Sequence, residues 1–430
     1  MKRTIAFLFL AALSLSVFSQ TKSIQSSPPL SEAAPTSVGM SPERLQRIDE
    51  MLTSAIAENQ IQGAVALVAR KGKIVYYKAF GIADNEAKRP FKQDDIFRIA
   101  SQTKAITSTA VMMLWEQGKF QLDDPISKYI PEFKNPQVLD RFNEADSTYT
   151  TKPADKEITI RHLITHTSGI GYGLIDTDDF RKIYQKAGII DAFSTQPVSI
   201  KENIKKLAKL PLHHNPGEKF TYSEGLDVLG YFIEIMSGQP LDQYFKEHIF
   251  EPMGMNDTYF YLPDSKKERL VPVQTKNDDK WTSYNDNPYY DADYPIKGDK
   301  MFFSGGAGLS STAKDYATFL QMYLNQGELN GVRLLSRTTV QSIMANQIGD
   351  LWGHSGAYCG LAFGVLDDKG QGMGGRGSIG TFDWGGYFNT QYFADPKEEV
   401  IGILMKQTQE SGNDDTEWKF RLLVGQAIDD

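Results

Sequence analysis

Ser101 and Lys104 stand three residues apart at the mouth of an apolar-periodic stretch, Ile106, Ala110, Met113 and Leu114, that stops at Gly118. The spacing predicts one helix starting near Ser101. Residues three apart share a helix face, so the Lys104 amine reaches the Ser101 hydroxyl. In the first turn the serine also meets free N–H groups that favour developing negative charge. An amine to take the proton and donors to receive an oxyanion are what nucleophilic acyl transfer needs. Alone, the pair equally describes an N-capping serine beside a surface lysine, so its meaning depends on what else the chain supplies.

The 430 residues are 40% hydrophobic and 23% charged, a folded globular composition for one or two domains. Lys2 and Arg3 precede an apolar run over residues 5–18, and Val17 and Ser19 fit cleavage after Ser19. Residues 1–19 therefore read as a signal peptide and the protein as exported, periplasmic or secreted, with no stable membrane insertion after cleavage. Residues 20–40, rich in Ser, Pro and Ala, read as a flexible leader. Cys359 is the one cysteine, so no intrachain disulfide forms, and its apolar surroundings predict buried packing. A formal charge of -8 gives no basic footprint for nucleic acid. The six histidines show no metal-binding spacing, and no metal or cofactor is implied.

Stepping along the chain, Ser41-Pro42 opens a helix whose Leu45, Ile48, Leu52 and Ile56 share a face. Residues 64–69 and 74–80 suggest a hairpin. From 121 to 304 strand-like runs are scarce and short helices alternate with polar loops. Within that region residues 278–300 carry Trp281, Tyr284, Tyr289, Tyr290 and Tyr294 and read as a folded loop covering or lining a pocket, since aromatics are poor linker material. A helix over 312–324 follows, then strand-like runs at 361–366, 377–382, 386–393 and 400–405, and a last helix from Thr416. The expected architecture is an α/β (α+β) fold: a sheet domain built from both chain ends (41–120 and 305–430) with a mostly helical domain (121–304) inserted. A cleft between them is the default site.

Two further motifs fall in order behind Ser101. Tyr222-Ser223-Glu224 precedes an apolar helix, and Trp384-Gly385-Gly386 precedes a strand-like run. With Ser101 and Lys104 they resemble the three-motif set of class C β-lactamases, D-alanyl-D-alanine carboxypeptidases and family VIII carboxylesterases. The stretches 160–169 and 305–312, followed by Asp315, resemble the same proteins, so the likeness spans roughly 40–428. It implies a β-lactamase-like fold, an antiparallel sheet flanked by helices, and a covalent acyl-Ser101 intermediate. It also implies Lys104 and Tyr222 as proton-transfer groups, and an oxyanion hole of the Ser101 and Tyr387 backbone N–H groups. Trp384 would wall the substrate pocket, Gly385 and Gly386 would let the backbone approach it, and Tyr172 is a candidate lining residue. His162 and His166 read as packing and hydrogen-bonding residues.

Two positions depart from the lactamase and peptidase pattern. Glu224 stands where an asparagine is usual; it is either an exposed acid at the following helix N-terminus or a buried one that repels a substrate carboxylate. Trp384 stands where a cation usually receives that carboxylate. Together they favour small or short-chain esters as the small-molecule substrate. The alternatives are a D-amino-acid or modified-peptide peptidase or amidase, a weak β-lactamase, or an inactive cell-wall-binding protein.

Overall fold

A run without polar interruption, Gly63–Arg70 (β1), is buried at every position because both its faces are covered. Val65, Leu67 and Ala69 enter one core while Ala64, Ala66 and Val68 enter another, alternating as side chains on a pleated strand must. The computed structural model describes residues 22–284, 290–353, 356–409, 412 and 414–430. The signal peptide, its cleavage near Ser19, and Tyr289 lie outside the described residues.

β1 turns back into Lys73–Asp84 (β2), forming the expected hairpin. The C-terminal strands Gly364–Leu366 (β3), Phe382–Gly386 (β4), Thr390–Asp395 (β5) and Val400–Met405 (β6) pair antiparallel in succession. β6 then pairs antiparallel with β1, joining the two chain ends in one sheet of order β2–β1–β6–β5–β4–β3. The mixed α/β fold, a mostly antiparallel sheet flanked by helices, is the one the motifs imply. At its outer edge Ser31–Glu32 pairs in parallel with Lys73 and Ile74, so from Ser31 the segment read as a flexible leader is tied to the sheet.

The helix Pro42–Ala57 (α1) begins where Ser41 accepts from the Arg44 N–H. It packs Leu45, Ile48 and Leu52 on one face of the sheet. On the other face lies Thr103–Glu116 (α2), buried from Thr103 to Leu114, polar residues included. Its threonines find partners: Thr107 Oγ1 donates to Gly305 O at 2.6 Å, and Thr109 Oγ1 lies 2.6 Å from the Tyr323 hydroxyl. Gly225–Ser237 (α3) and Ala313–Leu324 (α4) share that first core with α2 and the sheet. Thr416–Gln426 (α5) packs Phe420 and Val424 beside α1.

Two features differ from the sequence reading. Hairpins stand in the strand-poor middle region, Gln137–Asn143 with Thr148–Pro153 and Gln274–Asn277 with Lys280–Ser283. Thr148–Pro153 is exposed throughout, so it lacks the apolar alternation that marks a strand. Trp384-Gly385-Gly386, expected just before a strand, lies inside β4. Gly385 and Gly386 pair with Gln391 and Thr390, and the chain reverses one residue later.

Ile403 on β6 is fully buried in the core beside the site. Ile403→Ala is expected to cost about 2–5 kcal/mol in urea-denaturation stability, whereas Thr151→Ala on the exposed hairpin stays within about 0.5 kcal/mol.

Candidate active site

Ser101 sits in the turn Ala100–Gln102 that leads into α2, and it does not cap the helix: the cap position is Gln102, with no side-chain cap bond. Ala100 holds φ at +44°, a left-handed conformation costly for a residue with a Cβ. The turn is pinned where Ile99 N–H donates to Leu309 O at 3.0 Å and the Tyr316 hydroxyl to Gln102 O at 2.9 Å. Lys104 is 4% exposed, so it is no surface lysine. Its Nζ donates to Gly306 O at 2.8 Å, to the Tyr172 hydroxyl at 3.3 Å and to Ser101 Oγ at 3.4 Å. Three acceptors match the three hydrogens of an ammonium.

Tyr222 completes the group: its hydroxyl donates to Ser101 Oγ at 2.7 Å. Its ring stacks on Tyr172 with centroids 5.3 Å apart and 5° between planes, and lies 4.7 Å from the His166 ring and 6.1 Å from Trp384. Lys104 Nζ stands 4.7 Å from its ring centroid. Burial, with Tyr222 next in weight, pushes the Tyr172 hydroxyl well above the usual phenol range. It stays a neutral acceptor for Lys104.

His166 positions this segment. Its Nδ1 accepts from Ser223 N–H at 3.1 Å and lies 3.0 Å from Ser223 Oγ, while its carbonyl accepts from Thr221 N–H at 2.8 Å. Burial, then the Lys104 charge, holds the imidazole well below its ordinary pKa. His166 is neutral and its role is positional, as the sequence reading has it.

Three acids surround the site, of which the sequence singles out only Glu224. Asp227, on the first turn of α3, accepts from Ser304 Oγ at 2.6 Å and from Gly306 N–H at 3.3 Å. It thereby fixes the 305–306 peptide directly and the next one through Ser304, whose Oγ accepts from Ala307 N–H at 3.0 Å; that second peptide carries the carbonyl that receives Lys104. A Cβ at Gly306 would stand 2.4 Å from Asp227 Oδ2, so only glycine lets the segment come so close. Burial raises Asp227, and the Lys104 charge opposes that rise. Glu224 is 1% exposed, which corrects the reading of an exposed helix-end acid. Its carboxyl is hydrogen-bonded to that of Asp191, and burial followed by Asp191 raises it well above the carboxylate range. Among the described residues the structure shows no contact of Glu224 with Ser101; its side chain turns to Asp191 instead. Asp227 and Asp191 lacked a sequence signal because their partners are remote: Ser304 is 77 residues from Asp227.

β4 forms the opposite wall. A Cβ at Gly386 would meet Ile99 O at 2.5 Å, so this glycine lets the strand lie directly against the Ser101 turn and bring Tyr387 beside it. The Tyr387 carbonyl accepts from Gln409 Nε2. Tyr284, Tyr290 and Tyr294 from the aromatic stretch join Phe193, Phe388 and Ala100 in one cluster behind the turn. These tyrosines are folded onto the site, whereas Trp281, on the 274–283 hairpin, donates from Nε1 to Asn59 Oδ1 at 2.8 Å. Cys359 is buried.

A serine between a buried amine and a tyrosine hydroxyl, on a helix facing a sheet made from both chain ends, defines a serine acyl-transfer site. The chain belongs to the beta-lactamase family, whose pattern matches residues 48–426. Esterase EstB of Burkholderia gladioli is 31% identical over 385 residues, covering 85% of this chain and 91% of the relative. Protein Rv1367c of Mycobacterium tuberculosis is 33% identical over 361 residues, covering 81% and 86%. The solved structure of EstCE1, described as a hydrolase with promiscuous acyltransferase activity, superposes with a TM-score of 0.76 at 27% identity, covering 90% of this chain and 99% of that one. The motifs' implication of the serine-hydrolase superfamily holds.

His162 accepts from Thr159 N–H at 3.1 Å through Nδ1, and burial, then Lys156, lowers it to about 4 from an ordinary 6.5. The unfolded chain binds this proton below pH 6.5 and the folded chain does not. Its contribution to stability is present above pH 6.5 and is lost as the pH falls toward 4. Denaturation midpoints measured over that window should fall less steeply for His162→Gln than for the parent.

Proposed function

We propose that this protein is an exported serine carboxylesterase of the family VIII kind, cleaving small or short-chain esters through an acyl-Ser101 intermediate. The observation that carries the reading is Trp384. Where the peptidase and lactamase pattern places a cation for the substrate carboxylate, the wall of this site is an uncharged indole packed 6.1 Å from Tyr222. The buried acids Glu224, Asp191 and Asp227 add to the cost of bringing a carboxylate there. Relatives named Esterase EstB and Lovastatin esterase support an ester substrate.

In the proposed cycle Ser101 Oγ attacks the ester carbonyl. Attack requires the Tyr222–Lys104 pair to be one proton short, with the Tyr222 oxygen deprotonated beside the Lys104 ammonium. That oxygen takes the Ser101 proton, and the tetrahedral oxyanion rests on the backbone N–H groups of Ser101 and Tyr387. As the C–O bond breaks, Tyr222, 2.7 Å from Oγ, returns the proton to the leaving alcohol. Water then attacks the acyl-serine by the same route, giving the acid and free Ser101. Lys104, anchored on Gly306 O, keeps positive charge beside the Tyr222 ring throughout. The lysine sets the field and the tyrosine moves the proton.

A second reading, a D-amino-acid peptidase, is favoured by the 28% identity to a putative D-alanyl-D-alanine carboxypeptidase of Escherichia coli. Hydrolysis of p-nitrophenyl acetate and butyrate, a chromogenic cephalosporin and a D-alanyl dipeptide by the purified protein separates the two. Ester turnover is expected, abolished by Ser101→Ala and reduced in kcat by about 10²–10⁴ in Tyr222→Phe. Dipeptide turnover without ester turnover overturns the proposal. For export, mass spectrometry of the protein expressed in a bacterial host should find a mature N-terminus following Ser19; an intact residue 1–19 segment in the purified protein would count against it.

A further inference from the structure

Beside Trp384 lies a cleft of about 750 Å³ that the acyl-transfer chemistry does not use. It enters where β3 ends: β3 pairs with β4 only at Phe382 and Asp383, leaving the Trp384–Gly386 edge outside that pairing. Its size falls within the range of pockets that hold a drug-sized molecule, well beyond what a short acyl group needs. Trp384 belongs to both regions, touching Tyr222 and lining the cleft.

The lining combines flat aromatic faces with charged, planar hydrogen-bonding groups. Trp352, Trp384 and Trp418 contribute indoles, Trp418 being 57% exposed on the outer turn of α5. Between them stand Asp383, Glu417, Arg376 and Arg421. Arg421 Nη1 donates to Asp383 Oδ2 at 2.5 Å and its guanidinium lies over the Phe393 ring, 5.0 Å from the centroid. The cleft wall thus carries a carboxylate and a guanidinium fixed side by side, planar groups that a ligand's hydroxyls can meet as donor and acceptor.

These features discriminate among occupants. An alkyl chain would cover Asp383, Glu417 and Arg421 without giving them partners, at the desolvation cost of each. An anion would face two carboxylates, and a cation two guanidinium groups. A neutral polyol ring suits both sets of groups: its C–H faces lie on indole rings, and its hydroxyls both donate to the carboxylates and accept from the arginines. We infer that this cleft is a carbohydrate subsite and that the ester presented to Ser101 is carried on a sugar hydroxyl. The inference rests on the ester reading for its chemical step, which remains hydrolysis of that ester to a carboxylic acid and the free sugar alcohol. The sugar binding does not.

Two measurements separate the parts. First, binding of xylobiose and cellobiose to the Ser101→Ala protein is followed by titration calorimetry and tryptophan fluorescence. Saturable binding is expected, weakened about tenfold in Ser101→Ala/Trp418→Ala. No heat or quenching up to tens of millimolar overturns the subsite. Second, kcat/KM is measured for glucose pentaacetate, p-nitrophenyl acetate and p-nitrophenyl octanoate. The ratio of sugar ester to p-nitrophenyl acetate should fall about tenfold in Trp418→Ala, chiefly through KM. If the octanoate ratio falls and the sugar ratio does not, the cleft holds an acyl chain and the inference is wrong. Disaccharide binding without turnover of any ester keeps the subsite and overturns the ester reading.

Discussion

A lysine amine that is 4% exposed has to be held by acceptors, and the site is organised around that requirement. Removing an ammonium from water costs several kcal/mol unless its hydrogens are paired. The best acceptor here is a backbone carbonyl, Gly306 O, at 2.8 Å. A carbonyl can serve only if its peptide is fixed. Asp227 fixes it at one remove: it accepts from the Ser304 hydroxyl, whose oxygen accepts from the Ala307 N–H on the same peptide as Gly306 O. α3 therefore carries the anion, the 304–307 segment relays it, and α2 carries the cation, so that charge and countercharge are joined through the Ser304 hydroxyl and the 306–307 peptide. The glycines at 305 and 306 follow from this. A Cβ at 305 would stand 2.4 Å from Leu226 O, and one at 306 equally close to Asp227.

The same constraint explains the aromatic enclosure. With Lys104 turned to Gly306, its contact with Ser101 Oγ stretches to 3.4 Å while Tyr222 holds 2.7 Å. A tyrosine that exchanges protons with a nucleophile must keep its hydroxyl within hydrogen-bond reach. Tyr222 is held by Tyr172 stacked on one ring face, by the His166 ring, and by backbone bonds from Thr221 and Ser223 to His166. His166 can hold this place only as a neutral imidazole, because a protonated Nδ1 could not accept from Ser223 N–H. Burial next to a cation keeps it neutral.

Residue type and order reveal the reacting groups, whereas the groups that hold them depend on contacts made late in the chain. Ser101, Lys104 and Tyr222 are legible because their chemistry demands those side chains, and the structure brings all three together. The local signals are legible as well: the Ser41-Pro42 start of α1, the β1–β2 hairpin and the Thr312 cap of α4. The pairing of β6 with β1 joins residues more than 300 positions apart, and no local pattern encodes it. Asp227 reads as an ordinary first-turn acid until Ser304 arrives. Glu224 has two sequence readings because burial is a tertiary property. Its side chain is enclosed with Asp191, and two carboxyls that close are bonded only when a proton lies between them.

β4 carries the motif glycines inside a strand rather than ahead of one. They keep the strand bare of side chains where it passes Ser101. Gly386 lies against Ile99 O, and Gly385 reaches the neighbouring cleft. Trp384, the last large side chain before that bare stretch, consequently stands at the junction of the reacting centre and the cleft. Its indole can pack on Tyr222 and still present a surface to a bound molecule. A lysine there would bring a charge into contact with the ring of Tyr222, and its field would act on the proton that Tyr222 shares with Ser101. The identity of residue 384 thus acts on two properties together, the charge placed beside the Tyr222 ring and the chemical kind of group accepted there.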